Sequence, residues 1–388
     1  MRVFVRSATR VTCAARKYRR VARGTILATM ILGPTACTRS DDWETCNKAE
    51  GEVAIAACTG AIKSGKLQGH DLGIAYVSRG LAKVKKSELG AAIEDFNEAI
   101  RLDPNYIAAL INRGVAYGLM GQIDRAIEDY TRAIKLDPNS IQAYFDRGFA
   151  YSNAGDYRSA VEDYSQVILL DPKNFGAFNN RCNVQNMRRD YDSAIQDCSK
   201  AIELNPGMPN GFIGRAGAYA SKKDYDRAIE DYTKAISSDP TRTWTFTARG
   251  SAKSYNGDYG SAIEDLDKAI QLDATNAAAW NERCFVRAIT GQLPQALSDC
   301  NRSLDLQPNY AEALDSRAFV YLKMRNLDAA IADYDKALLL DPRKATSLYG
   351  RGVAKLKKGD IAGSNSDIES AKRIQLDIVD EFKRYGIQ

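Results

Sequence analysis

Proline recurs at Pro104, Pro138, Pro172, Pro206 and Pro240, gives way to Ala274, and returns at Pro308 and Pro342, every interval being 34 residues. A fixed period of that length admits few folds. Each unit must be one supersecondary element that cannot bury its apolar face alone and stacks on copies of itself. Leu102-Asp103-Pro104, Leu136-Asp137-Pro138, Leu170-Asp171-Pro172 and Leu340-Asp341-Pro342 are near-identical punctuation. With Gly73 as position 1, the frame runs unbroken through nine units to about residue 378.

Within the frame, position 20 is alanine in eight units, from Ala92 and Ala126 to Ala296 and Ala330. Position 24 holds Phe96, Tyr130, Tyr164, Tyr232 and Tyr334, and position 11 holds Tyr117, Tyr151, Tyr219 and Tyr321. Position 8 is Gly80, Gly114, Gly148, Gly250 and Gly352, with alanine or cysteine elsewhere. Positions 4, 8 and 11 share one helix face, as do 20, 24 and 27. A break near position 15 separates them, as in Gly121-Gln122, Gly155-Asp156 and Gly257-Asp258. Each unit therefore reads as two antiparallel helices, packed small residue against large aromatic and closed by a proline that cannot donate a helical hydrogen bond.

This combination of period, glycine, alanine, aromatic and proline resembles the tetratricopeptide repeat, over residues 73 to about 378 or roughly four-fifths of the chain. The resemblance implies an all-α, right-handed superhelical solenoid of antiparallel helix pairs that binds other proteins or extended peptides. In peptide-binding members the first helix of each repeat lines a concave groove through positions such as 2, 5, 9, 12 and 13. Carried over to this sequence, those positions give Asn179, Asn183 and Asn186 in the middle unit. Phe145 and Phe149 precede them, and Trp244, Tyr255, Asn281, Phe285 and Phe319 follow. Amides can pair with an extended backbone while aromatics supply contact area. A second reading of the aromatics is that some fill gaps between adjacent units. Members that clamp a C-terminal carboxylate use basic residues beside the asparagines. Phe145, Phe149 and Gly217 stand at the matching positions here, which puts that clamp in doubt.

One departure from the family pattern recurs. Position 7 is arginine in every unit (Arg79, Arg113, Arg147, Arg181, Arg215, Arg249, Arg283, Arg317, Arg351). Position 23 is aspartate in every unit (Asp95, Asp129, Asp163, Asp197, Asp231, Asp265, Asp299, Asp333, Asp367). In a hairpin turning near position 15 these columns face each other, which predicts a ladder of bidentate pairs within or between units. An arginine row for an acidic ligand is the alternative, and the matched aspartates argue against it.

Six of the eight cysteines fall in pairs. Cys182/Cys198 and Cys284/Cys300 occupy positions 8 and 24 of their units, facing positions across a hairpin. Cys46/Cys58 have the same relation in a shorter hairpin around Gly51. Three disulfides are expected, and disulfides persist in oxidising compartments.

Residues 1–37 carry eight bases and no acid; the remainder has 46 bases against 49 acids, a net charge of −3. The body therefore gives no electrostatic case for nucleic acid. Residues 1–38 have the layout of a leader: a basic stretch to Arg23, a short apolar run from Thr25 to Gly33, then small residues. That run is too short to span a bilayer, so membrane contact is expected only through the leader or a lipid on Cys37. We expect export to a bacterial periplasm or envelope. A mitochondrial presequence, leading to the intermembrane space, and a cytoplasmic location with an inactive leader stay open. Residues 39–72 read as a capping hairpin, with Trp43 packing and Ala57 and Ile62 facing the next unit. Ile374, Ile378 and Phe382 read as one apolar stripe of a capping helix, whose end is residues 379–388.

The phosphate-loop lookalike Gly60–Leu67 has leucine where a hydroxyl must reach magnesium, and closes a helix instead of following a strand. His70 is the single histidine, so no histidine triad or two-histidine metal site can form. No cofactor, metal, catalytic residue or small-molecule substrate is expected. The expectation is a non-enzymatic scaffold or adaptor for proteins in the cell envelope. Two other roles stay open: a structural component acting through its outer face or ends, and a module presenting substrates to a separate enzyme.

Overall fold

The structure, a computed structural model, describes residues 41–387. The leader, its cleavage point, Cys13 and Cys37 lie outside the described residues. Among the described residues there are 21 α-helices and no strand. Asp41–Lys48 and Gly51–Lys63 form a first hairpin. Nine helix pairs follow, from Gly69–Lys85 with Leu89–Leu102 to Ala345–Lys358 with Ile361–Ile374, and a last short helix spans Ile378–Arg384.

Each helix packs on the next in sequence. First helices of successive units also touch along nearly the whole array, whereas second helices of successive units make no comparable contact among the described residues. The row of first helices is therefore the shorter, inner side of the solenoid, and second helices form the outer side.

The punctuation has local causes. Position 15 has a positive φ in every unit, at Gly121, Gly155, Gly257, Gly291 and Gly359, and also at Ser87, Arg189, Lys223 and Arg325. Glycine adopts that conformation freely, and the other four hold it because the hairpin demands it. After the second helix, the aspartate of the Leu-Asp-Pro signature accepts a backbone N–H two residues on, as Asp103 does from Asn105 and Asp341 from Arg343. A side chain thus closes the turn at the proline, which has no N–H to offer.

Inside each hairpin, position 8 sits against position 24. A Cβ on Gly80 would come within 2.6 Å of the Phe96 ring, and one on Gly114 within 2.7 Å of Tyr130. Where that small–large pair is absent, Cys182–Cys198 and Cys284–Cys300 close the gap as disulfides, with Cα atoms 5.5 and 5.3 Å apart. Cys46–Cys58 staples the first hairpin, whose Trp43, Ala57 and Ile62 gather with Ala75 of the next helix.

All nine Arg–Asp rungs form inside their units. In each, Nε and Nη2 donate to the two carboxylate oxygens, as Arg147 does to Asp163 at 2.8 Å for both bonds. The third guanidinium nitrogen leaves the unit. Nη1 donates to position 25 of the preceding one: Arg113 to Asn97, Arg147 to Thr131, Arg181 to Ser165, Arg283 to Asp267. Arg79 reaches Thr59 of the first hairpin in the same way. One planar side chain thus fastens both the hairpin and the stacking interface.

The chain's end departs from the continuous stripe. The last unit's second helix stops at Ile374, Gln375 is extended, and Leu376 is 93% exposed. The short helix after Asp377 turns back onto the inner row, burying Ile378 and Phe382 among Phe319, Val353 and Tyr349. Period alone could not show this, because a stripe interrupted by three residues keeps the spacing of an unbroken helix.

Candidate protein-binding groove

The inner row carries the residues expected to line a groove, and it treats them in three ways. Phe149 and Asn183, both at position 9 of successive first helices, are exposed on it. Phe149 is 45% exposed and lines a shallow depression with Leu119, Tyr130, Asp146 and Asn153. Trp244 is 47% exposed at the start of its helix. Tyr255, also exposed, stacks on Tyr225 with ring centroids 5.6 Å apart.

A second set makes contacts within the solenoid, the gap-filling alternative in the case of Phe145. Asn281 is only 3% exposed and so lies inside the interface. Asn186 Nδ2 donates to the Gly214 carbonyl at 2.9 Å, tying one unit to the next. Phe145 fills an inter-unit gap, edge-on to Tyr164 and close over Gly176. Asn179 is half-buried and donates to Asn180 at 3.3 Å; its own Oδ1 is buried without a partner beside a small cavity of asparagines.

The third set, Phe285 and Phe319, faces the inner row but is covered by the chain's own end. Tyr385 meets Phe285 at 5.2 Å and Phe382 meets Phe319 at 6.0 Å between ring centroids.

Acidic side chains on the same row were missed by sequence reasoning, which weighed acids only on the second helices. Burial raises the Asp146 carboxyl to about 6, although Gln142 Nε2 donates to it at 2.8 Å and pulls the other way. Burial also raises Glu282, which accepts from Ser251 at 2.8 Å, and Asp315, which accepts from Thr346 at 2.8 Å and Ser347 at 2.5 Å. A signal existed: Asp146 and Glu282 share position 6, where neighbouring units have asparagine, glycine, alanine or serine. Among the described residues no group of three or more His, Cys, Asp or Glu is placed to hold a metal ion.

Comparison with known proteins follows the same lines. Models of the tetratricopeptide repeat match residues 107–140, 141–174 and 176–208, then 212–242 and 311–344. Two further models of this repeat match residues 80–121 and 247–311. No curated protein sequence matches the chain. Among solved structures, a tetratricopeptide repeat protein from Parabacteroides merdae superposes with a TM-score of 0.53 at 20% identity, covering 64% of this chain and 98% of that one. That likeness establishes the fold. Smaller parts are similar to pilF of Pseudomonas aeruginosa (TM-score 0.45, 21% identity, 54% of this chain and 96% of that one). MamA of Desulfovibrio magneticus RS-1 gives a TM-score of 0.42 at 20% identity, over 44% of this chain and 96% of that one. The repeat models run in phase across most of residues 80–344, on a structure of stacked helix pairs, and the chain belongs to the tetratricopeptide-repeat family.

Proposed function

We propose that this protein is an exported adaptor that holds partner proteins on the inner face of its solenoid, in the middle units. One observation carries the reading. Phe149 and Asn183 repeat the same register on adjacent first helices, and both are exposed on the inner row, as Leu81 is in the first unit, whereas Phe319 and Val353 at the equivalent position of the last two units are buried. An exposed aromatic beside an exposed amide is what an extended segment needs for area and direction. Trp244 extends the same surface two units on. The three disulfides support an oxidising compartment, and with the leader they favour the bacterial envelope.

The test is a comparison of partners recovered with the tagged chain and with a Phe149→Ser/Trp244→Ser variant, both expressed in the native host. The reading expects the variant to melt like the parent and to lose its partners. Recovery of the same partners in the same amounts would refute the groove.

A second reading, a structural role through the ends, has its own observation. In the last unit Ile361 and Leu376 are largely exposed, an apolar surface at that end of the described stack. Concentration-dependent self-association that Leu376→Glu abolishes would favour it, whereas a monomer at all concentrations would remove it.

A further inference from the structure

The helix Ile378–Arg384 is unlike every other helix here: it has no hairpin partner and lies across the first helices of three units. Ile378, Phe382 and Tyr385 follow i, i+4, i+7 spacing, so they form one face, and that face is what the groove holds. Phe382 meets Tyr349 at 4.7 Å and Phe319 at 6.0 Å, and Tyr385 meets Phe285 at 5.2 Å. Lys323 Nζ donates to the Tyr385 carbonyl at 3.0 Å while sitting 5.4 Å from the Phe319 ring centre, so one cation caps the helix end and covers the floor. Asp380, Lys383 and Arg384 face solvent.

A helix of seven residues does not hold itself together in water, so it is helical because the groove organises it. What holds it is its buried face, Ile378 and Phe382 with Ile387 after them, while its link to the last unit is exposed. The tether is Gln375–Leu376–Asp377, with Leu376 almost fully exposed. Asp377 pairs with Lys223 of the fifth unit at 3.2 Å, an exposed contact of the kind that contributes little. Nor does the helix fill the space it enters. Beside it lies a cavity of about 460 Å³ walled by Lys223, Tyr225, Tyr255, Glu381 and Arg384.

We infer that the aromatic floor of the last three units is a receptor for a short amphipathic helix of a partner protein, bearing an aliphatic residue at i and aromatics at i+4 and i+7. The chain's own last helix is the resident occupant, and the partner helix takes the site by displacing it. This rests on the inner-face reading above and supplies the partner chemistry for its C-terminal half. Competition from the resident helix reduces the apparent affinity by the fraction of molecules with an open site, so loosening that helix raises affinity without any new contact.

The probe is a fluorescent synthetic peptide of residues 375–388, titrated into the full chain, into Phe382→Asp, and into Ile378→Ala, which trims the buried face of the resident helix and leaves the floor and the Lys323 cap intact. Binding to the variants is expected to be tighter than to wild type by roughly ten-fold or more, and to vanish when the peptide itself carries Phe382→Ala. Should Phe382→Asp lose cooperative melting, Ile378→Ala decides. Equal affinity for wild-type and Ile378→Ala chains overturns the inference, as does binding that survives Phe382→Ala in the peptide. If the titration fails while Phe149→Ser/Trp244→Ser still loses its partners, only the displaced-helix inference falls. If both fail, the inner-face reading falls with it.

Discussion

In the rungs, the aspartate is more deeply buried than its arginine, and it accepts two hydrogen bonds from one guanidinium. Removing its charge leaves a half-buried cation without a counter-ion, which costs far more than the intact pair contributes. Asp163→Asn is therefore expected to destabilise the chain by about 3–5 kcal/mol in thermal or denaturant melting. An unchanged melt would show that the ladder is incidental. Asp146 has the opposite sign. Its carboxyl is raised to about 6 in the folded chain against about 4 when unfolded, so the folded state binds the proton more tightly. Its effect is most favourable below pH 4, and stability is lost as pH rises from 4 to 6, by about 3 kcal/mol at neutrality. Asp146→Asn should flatten that slope and raise the melting temperature at pH 7 but not at pH 4. A pH-independent difference would contradict the assignment. At the turns, Arg189 holds a φ of 62°, where glycine carries no Cβ penalty. Arg189→Gly is expected to stabilise by about 0.5–1 kcal/mol, and any clear loss in the melt would mean that the arginine side chain makes up for the strain.

The helix pair is the element the sequence displays best, because its period, turn and small–large contacts recur with the same residue types. The Arg–Asp columns were legible for that reason. Their third bond was not, since its acceptor at position 25 changes among Asn97, Thr131, Ser165 and Asp267, sharing only a side-chain oxygen. Groove residues were legible only as positions. Whether Asn183 stays exposed while Asn281 is buried depends on neighbouring units, and Asn186 was claimed by a carbonyl in the next one. The turn before the last helix left no mark, because Gln375, Leu376 and Asp377 include neither proline nor glycine. Disulfide pairs were legible from facing positions. Each closes a short loop, and replacing Cys182 and Cys198 together by alanine is expected to cost about 3 kcal/mol. Stability equal to the parent's, in protein shown by mass to be oxidised, would contradict a stapling role.

At the scale of the whole molecule, the solenoid divides into regions with different availability. The first hairpin is closed by a disulfide, the middle units present open aromatic and amide side chains, and the last units are covered by the chain's own end. Stacked repeats hold such regions in fixed order because each contacts only its neighbours and the arginine fastens every junction. We propose that partners are held on the inner row of the middle units. Site-specific photo-crosslinking tests this most directly: a benzophenone amino acid is placed at Phe149, or at the exposed Leu169 on an outer helix, and the full chain is irradiated in its native host. The account predicts discrete protein adducts from position 149 and none from position 169. Adducts from 169 alone, or equally from both, would contradict it.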